Sequence, residues 1–229
     1  ALEDEARYYA AGNTGWWVLG DSNDGKSKLV AEVLENQPDA RYSRPVYDAI
    51  ASWQIYHFHD TSSTAGMRNY EIVQDNKQLR TDAANIAPFL LKLRDTYPAE
   101  YTAILNAVRL VTPFFEDFIL EPRQSGAREE INISWRQKGS DYPMQPYHLS
   151  DGSIRFICLA TLLLQPVALL SDTILIDEPE LGLHPYAINV LADIFKQVAE
   201  DKQLIVSTQS VELINELSPD DVIVVDQEN

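Results

Sequence analysis

Strand-length apolar runs alternate with helix-length segments over the last third of the chain. Three nearly continuous apolar runs are typical of strands buried on both faces: Thr173–Ile176, Gln203–Ser207 and Val222–Val225. Three segments with helical character lie before and between them: Ser150–Leu164, Tyr186–Ala199 and Val211–Leu217. Strands that alternate with helices predict an α/β fold, built on a mostly parallel sheet flanked by helices.

The region upstream carries a different pattern. Trp53–Phe58 alternates as a strand does, whereas Asn85–Thr96 and Glu100–Leu110 show helical periodicity. Ile131–Arg136 alternates cleanly, which predicts an antiparallel strand with one solvent-exposed face. We therefore expect an additional antiparallel and helical lobe, and we divide the chain into regions 1–60, 61–148 and 149–229.

Composition narrows the class of protein. The 229 residues include 18 Lys plus Arg against 35 Asp plus Glu, which gives a formal net charge of −17, and 45% are hydrophobic. These proportions exclude wholesale disorder and argue against a general nucleic-acid coat, which needs a basic face. A single cysteine, Cys158, excludes an intrachain disulfide and a cysteine zinc site, and it favours a reducing compartment.

Neither a membrane span nor a secretory signal is predicted. No apolar run approaches the ~20 residues of a membrane-spanning helix, and no basic segment followed by an apolar one opens the sequence. We therefore expect a cytoplasmic protein without a membrane partner. The chain starts at Ala1 without a methionine, and we expect it to be a fragment that lacks its N-terminal part.

An apolar run ends in two consecutive carboxylates, Asp177 and Glu178. Ligands of parallel sheets bind at the carboxyl ends of the strands. A strand-end Asp can hold Mg²⁺ directly or through water, and the neighbouring Glu can polarise a water aimed at a γ-phosphate. The simpler alternative is a turn in which the acidic pair caps the following helix.

A second motif, Leu149-Ser150-Asp151-Gly152, opens the helix that precedes this strand. A Ser and a small Gly at a helix N-terminus make an anion site, because the backbone N–H groups and the helix dipole both face the ligand. The alternative is an ordinary Ser N-cap, with no ligand involved.

Residues 20–27 match the phosphate-loop pattern G-x-x-x-x-G-K-S literally, through Gly20, Gly25, Lys26 and Ser27. The context agrees, with a strand predicted at Trp16–Leu19 and a helix at Ser27–Leu34. In a working loop, Lys26 would bind the β- and γ-phosphates and Ser27 the Mg²⁺. In the alternative the match is accidental, and the true loop lies upstream of Ala1.

The order of these motifs carries a family resemblance. A helix-opening Leu-Ser-x-Gly, a strand ending Asp-Glu-Pro and a strand ending Ser207-Thr208-Gln209-Ser210 resemble the signature, Walker B and switch motifs of an ABC-type ATPase head. The chain is most similar to the RecF/SMC-like branch, and within it to bacterial AAA-family ATPases related to OLD-type and abortive-infection proteins. Residues 56–62, 113–115 and 177–185 carry the likeness further.

The resemblance implies a role for each matched position. Asp177 would bind the Mg²⁺ shell, Glu178 would be the catalytic carboxylate and Gln209 would sense the γ-phosphate by hydrogen bonding. In trans, the signature residues would contact ATP bound to a second subunit: Leu149, Ser150, Asp151 and Gly152. The loop with Leu183, His184 and Pro185 would contact the dimer partner, and residues 1–60 would complete an N-terminal nucleotide-binding lobe.

Several weaker candidates have simpler explanations. His57, His59 and Asp60 could ligate a metal, but they could also belong to a packed strand with polar ends, with Asp60 as a helix cap. Gln54 is a candidate for γ-phosphate sensing by position alone. Four basic residues could contact DNA or a protein partner, or could simply form a solvent-exposed face: Arg123, Arg128, Arg136 and Lys138. Arg155, one turn into the signature helix, is either a coupling residue or an ordinary surface arginine.

The resemblance implies ATP and Mg²⁺ as cofactors and a homodimer of heads that sandwich ATP. We expect an ATPase that drives or gates a DNA-repair or phage-defence effector, with DNA or an effector protein as a further partner. The alternative is a regulatory module that dimerises on ATP with little turnover and controls a toxin or nuclease. A plain α/β domain with fortuitous motifs is the simplest alternative.

Overall fold

The computed structural model describes residues 7–9, 16–18, 48, 50 and 53–225. The chain divides into two compact units, residues 1–53 and 54–229. In the first unit, strands β1 (Arg7–Tyr9) and β2 (Trp16–Val18) pair in antiparallel fashion. The phosphate-loop match at residues 20–27 lies outside the described residues, as does the helix predicted after it.

The second unit begins with strand β3 (Gln54–Tyr56), the short strand β4 (Glu71–Ile72) and two helices, α1 (Ile86–Thr96) and α2 (Pro98–Val111). Proline at the first position of α2 suits a helix start, because that residue needs no intrahelical N–H donor. Five strands follow: β5 (Phe115–Ile119), β6 (Arg123–Ser125), β7 (Arg128–Ile131), β8 (Ser134–Gln137) and β9 (Pro143–Met144).

The last third alternates helices and strands, as the apolar pattern predicts: α3 (Asp151–Leu163), β10 (Thr173–Asp177), α4 (Pro185–Val198), β11 (Gln203–Ser207) and α5 (Val211–Asn215). The strand predicted at Val222–Val225 is wrong. A 3-10 turn at Pro219–Asp221 precedes this segment, which runs exposed and pairs with no strand among the described residues. A β-branched run without a partner strand does not form a stable strand in water.

Strands β3, β10 and β11 form a parallel sheet in the order β11-β10-β3. One face is buried through Tyr56, Ile174 and Ile176. Across the other face runs a row formed by Leu175 and its neighbours Ile55 and Ile205, which are 55% and 42% exposed. The burial of both strand faces that the apolar runs predict is therefore wrong for this sheet, because within the described part of the chain this second face lacks a cover that would bury Ile55 and Ile205. The α/β class with a parallel sheet and additional antiparallel strands is thus confirmed.

The strand predicted at Ile131–Arg136 is divided between two antiparallel sheets. Its start lies in β7, in the sheet β4-β7-β6, and its end lies in β8, in the sheet β5-β8-β9. The alternation predicts a solvent-exposed face, and this prediction is wrong because Asn132 and Ser134 are buried. Their side chains satisfy one another, since the Ser134 hydroxyl donates to Asn132 Oδ1 at 2.7 Å, and this is how a buried polar pair is stabilised.

The core gathers around α3, whose residues from Ile154 to Leu163 are all buried. Helices α1, α2 and α4 pack against it. Among the described residues, no helix is long and apolar enough to cross a membrane. The Leu149–Gly152 motif thus leads directly into a helix that is buried from Ile154 to Leu163.

Cys158 lies in the middle of α3, and we expect it to resist alkylation in the folded protein. Burial raises the pKa of its thiol, so almost no reactive thiolate forms near neutral pH, and Met67 Sδ lies 3.8 Å from Cys158 Sγ. Iodoacetamide labelling followed by mass spectrometry should modify one site per chain in urea, and the native protein at least ~100-fold more slowly. Rapid labelling of the native protein would contradict this packing.

Candidate functional site

The two predicted site strands end side by side. Asp177 closes β10 and lies opposite Ser207, which closes β11, so the carboxyl edge of the sheet brings the acidic pair beside the Ser207–Ser210 segment. The Ser207 hydroxyl donates to Asp177 Oδ1. Nearly half of the Asp177 side chain, 49%, remains exposed, so the carboxylate is held in place and still accessible to a ligand.

Glu178 turns the chain sharply after the strand. Its φ of 40° lies in the left-handed region, which is unfavourable for a residue with a side chain. The turn is held by the Glu178 N–H, which donates to Ser207 O at 2.9 Å. Gln209 Nε2 in turn donates to Glu178 Oε1 at 2.9 Å. The structure therefore brings together all three residues predicted as the catalytic set.

Glu180 also connects the loop after β10 to the residues after β11. Its Oε1 accepts from Thr208 Oγ1 at 2.6 Å and from the Gln209 N–H at 3.3 Å. The sequence reasoning missed this residue, although it lies within residues 177–185, where its acidic side chain is the available signal. Both carboxylates in the loop between β10 and α4, those of Glu178 and Glu180, thus contact Gln209.

His59 follows β3 at the same edge. Its Nε2 lies 3.1 Å from Asp177 O and 3.8 Å from Asp177 Oδ2. Among the described residues, no group of three or more His, Cys, Asp or Glu side chains could hold a metal ion, so the metal alternative at His57, His59 and Asp60 has no support. Asp60 instead accepts from the Ser62 N–H at 3.0 Å, and the hydrogen bonds from Ser62 lower its pKa.

The signature end of α3 is a Ser-capped helix start. Ser150 Oγ accepts from the Ser153 N–H at 3.1 Å, which is the N-cap considered from the sequence, and Leu149 is buried beneath it. Gly152 packs directly against the backbone of Gly182. A Cβ at position 152 would collide with the Gly182 carbonyl oxygen, so only glycine allows this approach.

Arg155 connects the signature helix to the loop after β10. Its guanidinium donates to three backbone carbonyls, those of Phe58 at 2.9 Å, His59 at 3.2 Å and Leu181. The residue is 7% exposed, and burial lowers its pKa, an effect that the negative charge of Asp151 opposes. The alternative interpretation of Arg155 as an ordinary surface arginine is therefore wrong.

Arg68 anchors the turn before α3. Its side chain, only 6% exposed, donates to the carbonyls of Thr61 at 2.7 Å, Pro146 at 2.6 Å and Leu149 at 3.1 Å, and to Asp151 Oδ1 at 2.9 Å. The sequence reasoning missed it. No pattern could have found it, because three of its four acceptors are carbonyls, which every residue carries.

The loop predicted to contact a dimer partner leads into α4. His184 is the N-cap of this helix, since its Nδ1 accepts from the Tyr186 N–H at 3.3 Å, and Leu183 is half-buried. His184 is exposed. The loop is thus ordered by the helix it precedes, and its role toward a partner stays a prediction.

The remaining candidates lie away from this edge. Gln54 is at the start of β3, where Oε1 accepts from the Tyr56 hydroxyl. Arg123 stacks on the Tyr70 ring at 3.2 Å, and Lys138 donates to Pro113 O at 2.8 Å. The predicted basic cluster is spread over two antiparallel sheets, with Arg128 in one and Arg136 in the other.

A family model covers most of the chain. A family model described as "AAA domain, putative AbiEii toxin, Type IV TA system" matches residues 3–215. The chain belongs to this AAA family. The resemblance to AAA-family ATPases of the abortive-infection group is therefore confirmed, and the AAA chain is a nucleotide-binding ATPase module.

Solved SMC ATPase heads are similar to this AAA chain. A structure from work on ATP-driven dimerization and DNA-stimulated activation of SMC ATPases is 21% identical over 61% of the chain and 83% of its own length, with a TM-score of 0.44. The SmcHead bound to the C-winged helix domain of ScpA is 16% identical over 63% of the chain and 42% of its own length, with a TM-score of 0.45. The Thermotoga maritima SMC head domain is 20% identical over 57% of the chain and 44% of its own length, with a TM-score of 0.36. The AAA chain thus spans less than half of the latter two structures, and no curated protein matches it.

Proposed function

We propose that the carboxyl edge of the parallel sheet is the hydrolytic half of an ATPase site. The observation that carries this proposal is the contact of Gln209 Nε2 with Glu178 Oε1, directly beside Asp177 at the strand end. A carboxylate oriented by an amide can position and polarise a water for attack on a γ-phosphate. Membership in the AAA family supports ATP as the nucleotide.

The residues at this edge fit a nucleotide-borne Mg²⁺. This ion keeps several waters and is usually bound through one or two carboxylates together with substrate phosphates. Asp177 offers one exposed carboxylate with Oδ1 fixed by Ser207, and the described residues hold no all-protein metal cage. Asp177 would therefore hold Mg²⁺, directly or through water, and the bound ion would neutralise phosphate charge.

The signature end of α3 serves a second subunit in this proposal. Ser150 and Asp151 are exposed at a helix N-terminus, where the free N–H groups and the dipole favour an anion. Two heads would then sandwich two ATP molecules, each between the Asp177 edge of one subunit and the Ser150 end of the other. Leu183 and His184 would contact the partner beside this junction.

The family description names a toxin and a Type IV TA system. We extend the proposal accordingly, so that ATP binding and hydrolysis by the dimer drive or gate a defence effector, such as a toxin, a nuclease or a DNA-acting element. The acidic chain, with a net charge of −17, limits DNA contact to a local basic surface or to another part of the protein.

Phosphate release from ATP by the full-length protein tests this function. We expect turnover that EDTA abolishes, and the substitution Asp177→Asn should lower the apparent Mg²⁺ affinity about 10- to 100-fold, because the neutral amide is a much weaker magnesium ligand. Enzyme-coupled phosphate detection across a Mg²⁺ titration measures both effects.

Asp172→Asn is the matched control for this measurement. Asp172 precedes β10 at the opposite end of the strand and is 90% exposed, so its substitution should leave the Mg²⁺ titration unchanged. Absence of Mg²⁺-dependent ATP binding and turnover in the full-length protein would refute the proposed function.

A further inference from the structure

Glu180 connects the loop after β10 to the loop after β11. We propose that it is a positioning residue that holds Gln209 against Glu178, an inference that rests on the proposed ATPase function. Glu180 Oε1 accepts both from Thr208 Oγ1 at 2.6 Å and from the Gln209 N–H at 3.3 Å. One carboxylate oxygen therefore fixes the side chain of one residue and the backbone of the next.

Thr208 extends this contact further along the chain. Its hydroxyl donates to Glu180 and accepts from the Ser210 N–H at 3.0 Å. Ser210 in turn caps α5, where its Oγ accepts from the Leu213 N–H at 3.2 Å. A chain of hydrogen bonds thus runs from Glu180 through Thr208 and Ser210 to the start of α5.

Gln209 is the residue that this path places. Its backbone N–H is bonded to Glu180, and its side-chain amide reaches Glu178 Oε1 at 2.9 Å. The amide has several rotatable bonds and is exposed, so its reach toward Glu178 depends on where its backbone is fixed. Loss of the Glu180 carboxylate would leave the Glu178 carboxylate without a fixed donor.

The two oxygens of the Glu180 carboxylate differ in their hydrogen bonding. The second carboxylate oxygen, Oε2, is buried and has no hydrogen-bond partner within the described part of the chain. An unpartnered buried oxygen is unfavourable for folding, so it offsets part of the stability that the two Oε1 hydrogen bonds contribute. The benefit of the carboxylate lies in what Oε1 holds.

Steady-state ATP hydrolysis by the full-length protein is the first test. In Glu180→Ala we expect kcat to fall about tenfold while KM for ATP stays within about twofold, because a displaced orienting group affects the chemical step. Glu180→Gln keeps an acceptor oxygen and should restore at least half of the lost rate. An unchanged kcat in Glu180→Ala would overturn the inference.

The double variant Glu180→Ala/Gln209→Ala distinguishes positioning from an independent effect. If Glu180 acts through Gln209, the double variant loses no more kcat than Gln209→Ala alone. Multiplied losses would show that the two residues act separately and would overturn the inference. Glu200→Ala, which removes an exposed glutamate after α4, is the matched control and should keep the wild-type rate.

Hydrogen–deuterium exchange tests the same inference without ATP. In Glu180→Ala the amides of residues 207–210 should exchange about tenfold faster, whereas those of Thr173–Ile176 serve as an unchanged internal reference. A wild-type protein that does not hydrolyse ATP would refute the proposed function, and the exchange result would still decide the positioning role. Unchanged exchange at 207–210 would refute Glu180 as the residue that holds this segment.

Discussion

Glu178→Gln should lower the rate of ATP hydrolysis by the full-length protein about 10²- to 10⁴-fold, the range for loss of a general base. The amide matches the size of the carboxylate, and its oxygen can still accept from Gln209 Nε2. It cannot polarise or deprotonate water as a carboxylate does. Because nucleotide binding remains, ATP-bound dimers should accumulate, and size-exclusion chromatography with Mg²⁺ and ATP would reveal them.

The control for this variant is Glu200→Gln, at an exposed position after α4, which should keep normal turnover. Wild-type turnover in Glu178→Gln would rule out Glu178 as the catalytic carboxylate. The biological output of the Glu178→Gln variant distinguishes the proposed ATPase from the regulatory alternative. Loss of hydrolysis with unchanged output would favour the alternative, a regulatory module that dimerises on ATP and controls a toxin or nuclease partner.

Arg155→Ala should destabilise the second unit by about 3 kcal/mol, because the carbonyl of Phe58 would lose its donor at a buried contact and those of His59 and Leu181 at partly buried ones. For a domain of this size, that loss lowers Tm by roughly 6–12 °C. Thermal unfolding followed by circular dichroism measures the change.

Two further arginine variants test whether a loss of stability in Arg155→Ala comes from the guanidinium contacts. Arg155→Lys should recover only part of the stability, since an ammonium cannot serve acceptors spread around a planar guanidinium. Arg94→Ala removes a side chain that is 40% exposed and should shift the unfolding free energy by less than about 0.5 kcal/mol. Equal Tm values for Arg155→Ala and wild type would show that the three carbonyl contacts contribute nothing.

The arrangement at the carboxyl edge could be predicted because parallel strands leave few choices. Once Thr173–Ile176 and Gln203–Ser207 are adjacent strands of one parallel sheet, Asp177 and the Ser207–Ser210 segment must meet where the strands end. The apolar runs determine the strands, and the strands determine the neighbours. This part of the site follows from periodicity and needs no knowledge of the loops.

The supports of the site could not be predicted in the same way. Arg68 and Arg155 act through backbone carbonyls, which leave no trace in the identity of the accepting residues. The division of Ile131–Arg136 between two sheets was equally hidden. A clean alternation describes two short strands as well as one long one, and only the partners β4, β5, β6 and β9 decide between them.

The left-handed backbone of Glu178 sets a trade-off between folding and chemistry. In an extended strand, two consecutive side chains would point to opposite faces, yet Asp177 and Glu178 both contact the Ser207–Ser210 segment, through Ser207 and Gln209. Glycine or asparagine would relieve the unfavourable φ of 40° at position 178. Either would also remove the carboxylate, so the substitutions that make this turn more stable are those that we expect to abolish the proposed hydrolysis.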